Sequence, residues 1–332
     1  MKRRTFIVGL GGAAAWPMVA RAQQHPRMRR VGVLMNGAAT DAVLQTHAAA
    51  LVEGLRERGW NEGQNLQIDF RWSAGDAELA RIYAAQLIGF VPDVIVTATT
   101  TNLIAVRQAT NTVPIVFLQV SDPVAQGFVS NVVKPGGNLT GFSAFEFSIG
   151  GKWLDLLKAI SPSLEHVWVM FNPDTSPQSK FFVRSVEAAA PGFAVQSITA
   201  YVRSTADFES AFETMARTPN SGLILTTDTF TAMREDVIID LANRHRVPAI
   251  SGGSPRFAKD GGLLYYGIVE RLPDQFRQAG SYVDRILKGA NPGELPIQQP
   301  DRYSLIINLK TAKTIGLDIP LSLVARGDEV IE

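Results

Sequence analysis

Val94-Ile95-Val96-Thr97-Ala98-Thr99-Thr100-Thr101-Asn102 runs from an apolar, β-branched segment into a block of small polar residues. The first part reads as a strand, Val94–Thr97, and the stretch Thr101–Ala109 reads as a helix. The same alternation extends on both sides. Upstream, Val31–Met35 reads as a strand ending in the turn Asn36-Gly37, followed by a helix over Asp41–Gly59, a strand over Leu66–Trp72 and a helix over Asp76–Phe90. Downstream come strands at Ile115–Val120 and Leu139–Ser143. This order with short connections predicts a parallel sheet covered by helices on both faces.

The pattern restarts after Gly150. Helices are expected at Lys152–Ala159, Ser179–Ala190, Asp207–Arg217 and Phe230–His245, and strands at His166–Phe171, Val195–Ala200, Gly222–Thr226 and Pro248–Ser251. The tail adds a strand (Gly262–Val269), a helix (Asp274–Lys288), a strand (Ser304–Asn308) and a short helix (Leu309–Ile315). The chain has 332 residues, which suits two domain-sized lobes. The expected fold is therefore α/β: two Rossmann-like lobes with parallel sheets, joined by a multi-strand hinge that the chain crosses three times. One lobe is assigned residues 30–142 plus 254–298, the other residues 143–253 plus 299–332.

Composition narrows the function. Hydrophobic residues make up 46% and charged residues 19%, which excludes disorder, and the net charge of +1 argues against a nucleic-acid surface. With no cysteine, thiolate chemistry, disulfides and a lipidated cysteine are excluded. The four histidines, His25, His47, His166 and His245, form no metal-binding spacing. No nucleophile elbow or phosphate-binding loop occurs. Neither a catalytic role nor a cofactor is expected. At the N-terminus Lys2-Arg3-Arg4, an apolar run from Phe6 to Val19 and Ala20-Arg21-Ala22 read as a signal peptide over residues 1–22, with a twin-arginine-like head.

In an open parallel sheet, ligands sit beyond the carboxyl ends of the strands. The loops there hold Asn36, then Thr99, Thr100 and Thr101, then Gln119, Ser121 and Asp122. In the second array they hold Asn172 and Ser176, then Thr227 and Asp228, then Ser251. Threonine hydroxyls and free N–H groups at a helix start suit an anion such as a carboxylate, and equally suit ordinary helix capping. Asp228 suits either a ligand ammonium or the cap of the next helix. Asp122, before Pro123, has the position of a turn or cap residue. Phe142 and Tyr266 lie near expected crossings and offer apolar area to an organic ligand.

Several segments together carry a resemblance: Pro114-Ile115-Val116-Phe117, Ser121-Asp122-Pro123-Val124, Pro135-Gly136-Gly137-Asn138-Leu139-Thr140-Gly141-Phe142-Ser143, Gly261-Gly262-Leu263-Leu264-Tyr265-Tyr266-Gly267, and Leu295-Pro296-Ile297-Gln298-Gln299-Pro300. In these the chain resembles ABC-transporter substrate-binding proteins related to binders of tryptophan and other aromatic amino acids. The resemblance implies the type I periplasmic binding protein fold, a periplasmic location, and a monomeric clamp that delivers a small organic solute to an ABC permease in the inner membrane. It also implies that the loops at Asn36, Thr99–Thr101, Gln119–Asp122 and Thr227–Asp228 line the cleft. An aromatic or branched amino acid leads the candidate ligands, followed by an aromatic carboxylate. A ligand-sensing protein that reports to a membrane receptor would use the same clamp.

Overall fold

The computed structural model describes residues 27–268, 272–300 and 302–332, so the expected signal peptide lies outside the described residues. Five parallel strands form the first sheet: β1 (Arg29–Met35), β2 (Leu66–Trp72), β3 (Val94–Ala98), β4 (Ile115–Val120) and β5 (Leu139–Ser143), in the order β2-β1-β3-β4-β5. Val33 lies opposite Phe70 on one side and Val96 on the other, which sets the register. Alternation along each strand divides the side chains between two buried layers. Val31, Val33, Met35, Val94 and Val96 join one layer, and Leu34, Ile95, Ile115 and Phe117 the other. The second layer is covered by α2 (Ala77–Gly89) and α3 (Thr100–Ala109). The first is covered by α1 (Ala42–Arg56) and, from far along the chain, α10 (Leu272–Leu287). Asp41 and Asp76 cap α1 and α2 by accepting N–H bonds in the first turn, which fixes where those helices begin.

The second sheet has seven strands, β6 (His166–Phe171), β7 (Gln196–Tyr201), β8 (Ser221–Leu225), β9 (Ala249–Ser251), β10 (Leu264–Ile268), β11 (Tyr303–Asn308) and β12 (Glu329–Ile331), in the order β12-β11-β10-β9-β8-β6-β7. Every pair is parallel except β10 with β11. On one face lie α4 (Ile149–Ile160) and α5 (Ser179–Ala189); on the other lie α6 (Thr205–Arg217) and α8 (Glu235–Arg244).

The chain passes between lobes after β5, between β10 and α10, and between Gln298 and β11. The last passage runs beside the first: Ser143 donates to the Gln298 carbonyl (2.8 Å) and Gln298 to the Gly141 carbonyl (2.9 Å). One boundary differs from the sequence-based division. Residues 254–268 belong with the second lobe, because Leu264 and Tyr265 of β10 pair with Ile250 and Ser251 of β9 and with β11. Of the segment 254–298, α10 and the stretch after it join the first lobe. The expected single helix Phe230–His245 is also two, α7 (Thr229–Ala232) and α8, with Arg234 leaving helical geometry between them. Two short helices, α9 (Arg256–Lys259) and α12 (Leu321–Val324), and the edge strand β12 were not expected, and α11 spans Leu309–Ile315.

Candidate functional site

The carboxyl ends of the two sheets face each other across a cleft of about 1250 Å³. From the first lobe it is lined by Asn36 and Gly37 after β1, Thr99 and Thr100 after β3, Gln119 and Ser121 at the end of β4, and Leu44 and His47 of α1. From the second it is lined by Thr175, Gln178, Thr227, Asp228, Thr229 and Gly253. Ala144, Phe145 and Ile268 stand at the hinge end.

Three non-glycine residues at the ends of β3 and β4 have positive φ: Thr99 (75°), Gln119 (56°) and Asp122 (37°). Such conformations cost about 1–3 kcal/mol each and persist where the surroundings impose them. Thr99 is held by its N–H bond to the Leu118 carbonyl (2.9 Å). Thr99 occupies the cap position of α3, yet its side chain makes no capping bond. Of the two readings of the threonine block, ordinary capping by Thr99 is therefore not the one realised. The first N–H groups of α3 carry the positive end of the helix dipole at the cleft wall.

Asp228 realises its capping role. Its Oδ1 accepts from the Phe230 N–H (3.0 Å) and the Thr175 hydroxyl (2.6 Å), and its Oδ2 from the Asn172 N–H (2.9 Å). Burial nevertheless pushes its pKa above the ordinary carboxylate value, against the downward pull of these donors. It caps α7 and lines the cleft at once.

Asn36, Thr99, Thr100, Gln119, Ser121, Thr227 and Asp228 all line the cleft. The other expected site residues lie behind it. Asp122 caps a turn through the Ala125 N–H (3.0 Å). Phe142 is buried in the first lobe against Tyr282, ring centroids 5.1 Å apart. Asn172 accepts from the Asp174 N–H (2.9 Å), and Ser176 shares hydroxyl contact with Ser179 (2.6 Å) while donating to the Thr227 carbonyl (2.9 Å). Ser251 accepts from the Gly253 N–H (3.1 Å). Tyr266 stacks on Tyr303, and its carbonyl accepts from the Trp153 indole N–H (2.8 Å). Thr101 is turned to the other lobe, where its hydroxyl donates to the Thr175 carbonyl (2.6 Å).

Sequence reasoning missed Gln178 and His47. His47 is 3% exposed, stacked on Phe276 at 5.0 Å, and its pKa is lowered by burial despite Asp41 nearby. The Gln178 Nε2 donates to the Thr227 carbonyl (3.4 Å), which orients the amide. Asn36 Oδ1, His47 Nδ1, Gln178 Oε1 and Thr227 Oγ1 are buried with no hydrogen-bond partner in the protein. A buried polar atom without a partner costs about 1–3 kcal/mol, and all four belong to residues of the cleft wall.

The outer lining is acidic. Asp41, Glu235, Asp236, Asp240 and Asp260 face it, with the guanidinium of Arg256 bonded to Asp260 (3.2 Å). Burial pushes Glu235 up to about 8. Among the described residues, no group of three or more His, Cys, Asp or Glu side chains is placed to hold a metal ion. Nor is any helix among them long and apolar enough to cross a membrane.

The chain is similar to known proteins in family and fold. Residues 31–331 match the model of a family described as ABC transporter substrate binding protein. A tyrosine-binding protein of Clostridioides difficile is 26% identical over 267 residues, covering 80% of this chain and 75% of that one. A solved structure of a conserved domain protein from Vibrio cholerae is 28% identical with a TM-score of 0.80, covering 92% of this chain and 100% of that one. An ABC domain in complex with L-Trp from Streptococcus pneumonia superposes with a TM-score of 0.78 at 24% identity, covering 91% and 99% of the two chains.

Proposed function

Because this chain belongs to the family of ABC transporter substrate-binding proteins, we propose that it is the exported solute receptor of an uptake system, and that it captures an amino acid and hands it to a membrane permease without chemical change. The observation that carries the ligand class is the pairing across the cleft. The uncapped start of α3 stands on one wall and the buried carboxylate of Asp228 on the other. An amino acid presents the matching pair, with its α-carboxylate directed to the α3 N–H groups and its α-ammonium to Asp228. The tyrosine and tryptophan bound by the two relatives support an aromatic side chain. In this chain Phe145 at the hinge end and Leu44 offer the apolar wall for it.

Capture follows from the two-lobed design. A ligand that touches both walls binds the closed arrangement more tightly than the open one, and so shifts the population towards closure. The permease then reads the closed form. The N-terminal basic head and apolar run direct export, the location such a receptor requires. A single copy suffices for a clamp of this kind.

Thermal unfolding of the protein against a panel of L-amino acids and aromatic carboxylates tests the reading. A ligand at about 100 times its dissociation constant adds about 2.7 kcal/mol of stability. A rise in unfolding midpoint with tyrosine, tryptophan, phenylalanine or a branched amino acid is the expected result. No rise with any of them removes amino acids as the ligand class.

A further inference from the structure

The lobes touch each other along a seam at the edge of the cleft. On the first lobe it is formed by the loop between β2 and α2 and by Thr101 of α3. On the second it is formed by the loop after β6 and the start of α7. The Thr101 hydroxyl donates to the Thr175 carbonyl at 2.6 Å. Beside this bond, Ala74 to Glu78 and Asp174 to Thr175 line an open hollow of about 310 Å³. Gly75, at φ +75°, lies so close to Thr229 that an added Cβ would stand 3.3 Å from its Cγ2.

Each side of the seam is tied to a cleft residue. Gly75 donates to the Asn36 carbonyl (2.6 Å) and Ala74 to the Gly37 carbonyl (3.1 Å), so the loop is fixed to the end of β1. The Thr175 side chain donates to Asp228 (2.6 Å) while its carbonyl receives Thr101. The cross-lobe bond therefore lands on the residue that holds the buried carboxylate.

We propose that the Thr101 hydroxyl is a positioning group that sets ligand affinity through the lobe-closure equilibrium, without itself touching the ligand. The proposal rests on the receptor reading above. When only the closed fraction is competent, apparent affinity scales with that fraction. Removing one seam bond lowers the closed-to-open ratio by one factor, and so weakens every ligand alike. A neutral hydrogen bond makes that factor roughly two- to tenfold.

The test compares wild type, Thr101→Val and Thr101→Ser. The chain has no cysteine, so spin labels on Ala85→Cys and Glu209→Cys, exposed positions on α2 and α6, report the interlobe distance cleanly. L-tyrosine, L-tryptophan and L-leucine are titrated calorimetrically in parallel. Thr101→Val should weaken each bound amino acid by one common factor, roughly two- to tenfold, and lengthen the interlobe distances of the ligand-free protein. Thr101→Ser should match wild type, and the unfolding midpoints without ligand should agree. Weakening confined to one amino acid would mean direct ligand contact and overturn the proposal, as would unchanged distances in Thr101→Val. If none of the three binds wild type, the amino-acid reading fails, and the label distances alone still decide the role of the seam.

Discussion

Gly54 of α1 and Gly280 of α10 meet backbone to backbone: a Cβ on Gly280 would stand 2.6 Å from the Gly54 carbonyl carbon. On the other side, a Cβ on Gly54 would run into the carbonyl of Arg277. The two glycines let the helices approach closely enough for Phe276, Ala279 and Val283 to reach the strand side chains beneath. That contact fastens a helix some 220 residues downstream to the first lobe.

Gly280→Val should therefore push α10 away from α1 and destabilise the first lobe. Overpacking of this kind costs about 1–3 kcal/mol. Urea unfolding measures it, and a loss below about 0.5 kcal/mol, the scatter of an ordinary surface change, would show that the crossing has room to spare.

Trp153 should matter to the second lobe through one hydrogen bond. Its indole N–H donates to the Tyr266 carbonyl (2.8 Å) and its ring fills the space where Gly252 has no side chain. Trp153→Phe leaves that carbonyl without its donor, at a cost of about 1–3 kcal/mol. Denaturant unfolding gives the number, and an unchanged midpoint would show that the indole N–H contributes nothing.

At Asp228, Asp228→Asn keeps an oxygen to cap α7 but removes the charge. A charge-assisted bond is worth about 1.5–3 kcal/mol, so the affinity for a zwitterionic amino acid should fall roughly ten- to a hundredfold. Calorimetric titration with L-tyrosine and with its decarboxylated and deaminated analogues checks this. If the variant loses affinity equally for the deaminated acid, Asp228 does not face the ammonium.

Stability should depend on pH through Glu235. Its pKa is raised from 4.5 to about 8, chiefly by burial. Between those values the folded protein holds a proton that the unfolded chain has released. Stability from this group is therefore fully present below about 4.5 and lost as pH rises through about 8. Glu235→Gln should match wild type near pH 4.5 and exceed it above pH 8. His47 acts in the opposite sense: burial lowers its pKa from 6.5, so it costs stability as pH falls below that value. It is common to both proteins, and the difference between their unfolding midpoints isolates Glu235. Parallel profiles across the whole range would refute the assignment.

The alternation of β-branched runs and amphipathic helices determined, from sequence alone, that the chain makes two parallel-rich sheets. It also placed Asn36, Thr99, Gln119 and Thr227 at strand ends that line the cleft, because that edge follows from strand direction alone. Only the tertiary structure decided the rest. Whether the Thr101 side chain lined the cleft or bonded to the other lobe depended on Thr175, 74 residues away. Whether β10 joined the first or second sheet depended on β9 and β11, since an apolar strand carries no label for its neighbours. Gln178 and His47 became cleft residues through packing against Thr227 and Phe276. Local periodicity fixes elements and their direction; side-chain orientation at a site depends on partners distant in the chain, and only folding brings those together.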